Sequence, residues 1–372
     1  MDTMQLSDQQ PAGKYVSAND KIILNIQNLS KEQSLYLTIG FNKMYDSGIP
    51  QQENELKNGY NEVISSQDGP IFFRLTESKY DINKINGVKI KMTGGKNLPL
   101  FIYGSSTNAD WKKELSIYKN APFVQLLSNR VIITLPSKVH ASNPITEPSS
   151  TFSMIHSILD FQSELSGFDG IEIQDRPSPL RHHFLVDFRS SNKAKEEFYM
   201  YATDEFIGML PENAAELTNP KKLSYSWAIW HEIGHTYQQE SWTWNSLTEI
   251  NVNIFSLYIQ EKLGGESRIA IRENGEPSAH DQAQKYIAKK NKSYIDDNED
   301  EVFIKLVMFE ELKDKYGWNL FTELFKYFRS TPLPRDASDD TKIHTFVSAI
   351  CEITGDDLRT FFDKWGIPSS AC

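Results

Sequence analysis

Within residues 227–239 (WAIWHEIGHTYQQ), His231 and His235 stand four positions apart, with Glu232 between them. On an α-helix, residues four apart differ by about 40° in azimuth and about 6 Å along the axis, so both imidazoles reach one ion. Glu232 is rotated by roughly 100° from His231. It would flank such an ion without ligating it and take a proton from a bound water. Two imidazole ligands, a carboxylate base and an activated water make the H-E-x-x-H arrangement of zinc-assisted hydrolysis.

The segment reads as a helix. Trp227, Trp230, Gly234 and Tyr237, with Ile233 beside them, form a stripe at helical spacing that packs inward. Ser224 or Ser226 can cap its start. Gly234 inside the helix costs about 1 kcal/mol against alanine, and close approach of another backbone beside the metal would account for it.

A catalytic zinc takes three protein ligands and leaves one position for water. Residues 246–263 (SLTEINVNIFSLYIQEKL) read as a second helix. Its buried stripe is Leu247, Ile250, Ile254, Leu257 and Tyr258, with Glu249, Asn253 and Ser256 on a different face. Between His235 and Glu249 there is enough chain to end one helix, turn, and present a carboxylate from the next. Asn253, one turn further, can orient a ligating imidazole. Glu249 also has a purely structural reading. Ser246 and Glu249 match a capping box, in which the glutamate only bonds the backbone at the helix start. Glu240 and Glu261 are the other candidates for third ligand.

The surrounding chain divides by texture. Residues 1–13 are a polar tail without the apolar core of a signal peptide. Residues 14–110 carry short runs rich in β-branched and aromatic residues, at 21–27, 34–41, 70–76, 87–93 and 98–103, punctuated by Gly, Asn, Asp and Pro. They predict a β-sandwich domain. Residues 111–372 form the expected catalytic domain, with sheet strands at 130–135 (RVIITL) and 183–188 (HFLVDF). From residue 224 onward it is mainly helical, with 3.6-type spacing at 302–316, 318–328, 341–353 and 357–365. The fold class expected is therefore α+β and multidomain.

Bulk properties bound the function. A net charge of -11 argues against nucleic-acid or anionic-membrane partners, which need a basic footprint. No apolar run is long enough for membrane insertion. Two cysteines, Cys351 and Cys372, exclude a disulfide framework and a cysteine-rich zinc site. Aromatic residues make up 12% of the chain, a content that suits large aromatic cores as well as sugar or peptide binding.

The stretch WAIWHEIGHTYQQESWTWNSLTEINVNIFSLYIQ closely resembles the core of the enhancin-like, mucin-degrading zinc metallopeptidases of the gluzincin group. The segments YMYATDEFIGML, HHFLVDF, FVSAICEITGDDLRTFFDKWGIP and PAGKYVSANDKI extend the resemblance over most of the chain. The family pattern, H-E-x-x-H followed at variable spacing by a glutamate, maps onto His231, Glu232, His235 and Glu249. The resemblance implies one zinc per chain and a secreted endopeptidase acting on O-glycosylated proteins such as mucins.

A second group is then needed to stabilise the oxyanion. Tyr201, Tyr237 and His182 or His183 are candidates by residue type, each with a plain core reading beside it. Trp242 and Trp244, between the two metal helices, could stack on a sugar or belong to a lid or core. His140, His156, His280 and His344 fall outside ligand spacing. Two other functions remain open: a gluzincin peptidase with no glycan requirement, and a non-catalytic mucin- or carbohydrate-binding protein. An intact Glu232 argues against the second.

Overall fold

The computed structural model describes residues 3–41, 44–45, 47–77, 87–190, 192, 198–272, 275–296 and 301–368. Cys372 lies outside them. The chain forms two compact units, one of Leu6–Met154 and Pro179–Leu223, the other of Met1–Gln5, Ile155–Ser178 and Ser224–Cys372.

All the strands named here belong to the first unit. They are β1 (Gln9–Val16), β2 (Lys21–Gln27), β3 (Gln33–Ile39), β4 (Gln52–Leu56), β5 (Gly59–Ile64), β6 (Gly69–Glu77), β7 (Lys89–Thr93) and β8 (Lys96–Asn97). There follow β9 (Leu100–Ile102), β10 (Phe123–Leu127), β11 (Val131–Pro136), β12 (His182–Val186), β13 (Met200–Ala202) and β14 (Ile207–Met209). A five-stranded sheet, β4-β3-β6-β1-β8, and a three-stranded sheet, β5-β2-β7, share one core of Val16, Ile22, Leu24, Leu37 and Ile71 among others. This is the expected sandwich.

Two of the strands not foreseen from sequence share a cause. β4 (QENEL) and β5 (GYNEVI) are outermost in their sheets, where a polar, charged face is tolerated and discourages edge pairing. β1 begins at Gln9, inside the stretch expected to be a tail, and carries Pro11. Its neighbour β8 pairs with Lys14 and Tyr15, so Pro11 lies beyond that pairing and next to the register shift against β6, a position where a strand tolerates proline.

The third sheet, β13-β14-β12-β11-β10-β9, is mixed. β9/β10, β11/β12 and β12/β14 run parallel, while β10/β11 and β13/β14 run antiparallel. β9 lies before residue 110 in sequence yet pairs with β10, so this sheet draws on both sides of the boundary expected there. Helices α1 (Asn108–Ile117), α2 (Ser137–Ser142), α3 (Pro148–Leu165), α4 (Ala214–Thr218) and α5 (Pro220–Leu223) accompany the strands in chain order.

The second unit is helical. It contains α6 (Trp227–His235), α7 (Thr248–Lys262), α8 (Ala279–Ala288), α9 (Val302–Tyr316), α10 (Asn319–Ser330), α11 (Asp339–Thr354) and α12 (Arg359–Trp365). Every residue of α7 from Ile250 to Ile259 is buried, so the helix is surrounded rather than laid on a surface. The single buried stripe expected there is thus too narrow. Asn251, Asn253 and Ser256 are buried with the apolar residues.

His182 and His183 are core residues of β12. Burial pushes both imidazoles down to about 3, with the Arg130 charge adding to the effect at His182. Thr134 Oγ1 lies 3.0 Å from His183 Nε2. An unfolded histidine gains its proton below about 6.5, whereas these folded ones stay neutral down to about 3. Between those values the unfolded state binds more protons, so stability must fall as the pH drops. Urea unfolding should show a loss between pH 6.5 and 5 on the order of 1–2 kcal/mol per buried histidine. His183→Gln, which keeps a donor for Thr134 but does not titrate, should lose less; an unchanged pH slope would contradict this.

Candidate metal centre

α6 starts as its sequence requires. Ser226 is the N-cap and its side chain accepts from the Ile229 N–H. α6 and α7 then meet at Gly234, where a Cβ would lie 2.9 Å from Val252 Cγ2 and 3.2 Å from the Val252 carbonyl oxygen. The close backbone approach expected at this glycine is supplied by α7.

That contact brings three acceptor atoms together. Glu249 Oε2 lies 3.0 Å from His231 Nε2 and 3.7 Å from His235 Nε2, and the two Nε2 atoms are 3.1 Å apart. Tetrahedral zinc with bonds of about 2.0–2.2 Å sets its ligand atoms about 3.3–3.6 Å apart, so the three atoms stand close to the edges such a site needs. His231, Glu232 and His235 each also offer a donor atom within 4.8 Å of the others, which leaves Glu232 beside the same point. Glu232 and His235 are buried, while Glu249 is 57% exposed and open to an incoming group.

The hydrogen-bond network fixes the ring tautomers. Asn253 Oδ1 is 2.9 Å from His231 Nδ1 and also accepts from Trp227 Nε1 at 2.8 Å, while its Nδ2 donates to the Glu249 carbonyl at 2.7 Å. An indole N–H only donates and a carbonyl only accepts, so this amide has one orientation. Its oxygen faces His231, and Nδ1 must carry the proton. Gln238 does the same for His235. Its Oε1 lies 2.9 Å from Nδ1, while its Nε2 donates to the Thr248 carbonyl at 2.6 Å and to Asn251 Oδ1. In the neutral rings both Nε2 lone pairs then face each other and the Glu249 carboxylate. A cation shared by the three would satisfy them all, and the donor set fits zinc.

Electrostatics agrees. Partial burial works against the Glu249 charge, but the neighbouring His231 and His235 rings outweigh it and hold the carboxyl well below its usual range. Burial pushes His235 down, yet the neighbouring Glu249 and Glu232 carboxylates lift it above its ordinary value overall. The site is short of positive charge.

The capping-box reading of Glu249 does not match this geometry. The N-cap of α7 is Leu247, with no side-chain cap bond, and Ser246 Oγ donates to the Ile295 carbonyl instead. Glu261 pairs with Lys313 at 3.6 Å, and Glu240 is exposed in a 3-10 turn.

Of the readings open for Trp242 and Trp244, the structure supports the core one and not sugar stacking. Both are fully buried: Trp242 is stacked on Phe346 at 5.7 Å and on Phe328 at 6.4 Å, and Trp244 sits edge-on to Phe346. An indole buries so much apolar area that two short 3-10 turns fold it inward, although the segment reads as a loop. Tyr201 is half-buried in the strand-rich unit. It packs across Gly208, where a Cβ would meet its ring at 2.4 Å, and its hydroxyl donates to Asp187 Oδ2 at 2.7 Å. Tyr237 is a core residue with its hydroxyl 3.1 Å from Ser163 Oγ. His140 is buried and accepts from the Ile145 N–H, and His280 pairs with Glu310. Gln238 and Trp227 were not foreseen. An amide three residues after His235 was the available sign of the former.

An H-E-x-x-H helix backed by a second helix that carries a carboxylate to the same point is the arrangement of a metallopeptidase. Residues 94–366 match the family described as Peptidase M60, enhancin and enhancin-like, and the chain belongs to that family. It is 26% identical over 286 residues to a TRPM8 channel-associated factor homolog of Xenopus laevis, covering 76% of this chain but only 29% of that protein. A conserved protein of unknown function from Bacillus anthracis superposes with a TM-score of 0.82 at 25% identity, over 99% of this chain and 72% of that one. The M60 catalytic domain of ZmpC from Clostridium perfringens, solved with the sialyl T antigen, superposes with a TM-score of 0.78 at 19% identity, over 99% of this chain and 74% of that one.

Zinc affinity, measured by competition with a chromogenic chelator, should fall about 10–100-fold in Asn253→Ala and in Gln238→Ala, the usual cost of losing an imidazole's outer partner. Glu249→Gln should fall further, and Glu240→Gln should match wild type. Full affinity in Glu249→Gln with loss in Glu240→Gln would reassign the third ligand.

Proposed function

We propose that the protein is a zinc-dependent endopeptidase that cleaves O-glycosylated, mucin-type glycoproteins outside the cell. The observation that carries this reading is the convergence of His231, His235 and Glu249 on one point, with Glu232 beside it. His231, His235 and Glu249 would hold the ion. Zinc bound there supplies a water acidified towards neutral pH and polarises the scissile carbonyl. Glu232 accepts the water's proton and returns it to the leaving amine. Asn253 and Gln238 hold the two imidazoles in the ligating tautomer throughout.

The glycan requirement rests on the family and on the relative solved with the sialyl T antigen. An extracellular setting rests on the family alone; among the described residues, no helix is long and apolar enough to cross a membrane. A purely partner-binding role, which the name of the channel-associated relatives brings to mind, would leave this donor set without work.

One experiment tests both parts. Zinc-loaded wild type and Glu232→Gln are assayed on an O-glycosylated peptide and on the same peptide stripped of sugar. Wild type should cleave the glycosylated form preferentially, and Glu232→Gln should keep its zinc while losing at least about 100-fold in rate. A wild-type rate in Glu232→Gln would contradict the mechanism. Equal cleavage of both peptides would remove the glycan requirement and keep the peptidase.

A further inference from the structure

We propose that a cavity of about 280 Å³ beside the metal helix is a subsite for an acidic sugar, a pyranose bearing a carboxylate. The inference rests on the glycoprotein-peptidase reading for the source of that sugar, and on the cavity's own chemistry for the rest. Its walls include Tyr225, Trp227, Gln260, Arg268 and Ile271. The volume sits at the small end of the ~300–1,000 Å³ range of ligand pockets, which suits one sugar ring rather than an extended chain.

Arg268 sets the charge preference. Its guanidinium lies 5.2 Å from the Trp227 ring centroid and 4.9 Å from that of Phe303. Among the described residues no carboxylate pairs with it, although the chain holds 50 acidic residues against 39 basic ones. Other arginines do find such partners: Arg272 pairs with Asp281 and Arg329 with Asp175, each at 2.7 Å. A guanidinium stacked on aromatic rings keeps its in-plane N–H groups for a ligand, in the fork geometry that takes a carboxylate bidentately.

The receptor is built in advance. The Arg268 N–H donates to Gln260 Oε1 at 2.8 Å, which leaves the Gln260 NH₂ group for a sugar hydroxyl. The preceding Ser267 donates to Glu310 Oε1 at 2.7 Å, and Ile269 is buried, so the loop is anchored on both sides of Arg268. Tyr225 is 60% exposed and Ile271 40% exposed, an aromatic ring and an aliphatic chain suited to the C–H face of a pyranose. A small inorganic anion would use the arginine and leave these surfaces wet.

The cavity is also tied to the reaction centre. Trp227, one turn before His231, lines it, while its Nε1 bonds the Asn253 oxygen that faces His231. A sugar held here sits one side chain from a metal ligand's support.

Isothermal titration of the zinc-loaded chain with N-acetylneuraminic acid and D-glucuronic acid, with D-glucose and acetate as controls, tests the proposal. Acidic sugars should bind saturably, and both controls should bind at least about tenfold more weakly, the scale of losing a hydrogen bond to a charged group. Arg268→Gln should weaken the acidic sugars by about the same factor, and the exposed Tyr225→Ala should weaken them with folding undisturbed. No saturable binding, an unchanged affinity in both variants, or equal affinity for acetate would overturn the subsite. Cleavage is read separately. Sugar binding in a protein that cleaves nothing would refute the peptidase reading and keep the subsite, and cleavage without sugar binding would do the reverse.

Discussion

Three acceptor atoms, the Nε2 atoms of His231 and His235 and Oε2 of Glu249, are held within 3.0–3.7 Å of one another. Left alone, two lone pairs and a carboxylate at that spacing repel. The fold must supply the force that keeps them there, and a bound cation would relieve the repulsion. Much of the helical unit answers to that constraint. α7 is buried on all sides through the stretch that follows Glu249, and α6 is pressed against it at a glycine that cannot become alanine without moving Val252.

The amide network converts that packing into chemistry. Asn253 and Gln238 each accept from one Nδ1–H, and each is itself locked by a donor-only or acceptor-only neighbour. Gln238 also reaches across to the Thr248 carbonyl at the start of the Glu249 helix, so one side chain fixes a tautomer and ties the two metal helices together. Buried polar groups of this kind add little net stability. Their value here is orientation.

How much of this was legible in the sequence follows from how local each signal is. α9 runs from Val302 to Tyr316, the span its helical spacing predicts, and β2 occupies Lys21–Gln27 as its alternating pattern implies. His231, Glu232 and His235 were readable for the same reason: their relation is internal to one helix. Glu249 was ambiguous because the spacing of a capping box is also local, and only tertiary packing shows that Ser246 turns to Ile295 instead. The readings of Trp242 and Trp244 stay open in the sequence because their partners, Phe328 and Phe346, lie about ninety residues or more away. The edge strands β4 and β5 went unseen because solvent-facing positions need not be apolar.

The most direct test of the metal centre is zinc K-edge X-ray absorption on the loaded protein. The ligand set argued here predicts four-coordinate zinc with two imidazole nitrogens at about 2.0–2.1 Å and oxygen donors completing the shell. A six-coordinate, all-oxygen shell, or a fit with one imidazole or none, would contradict it.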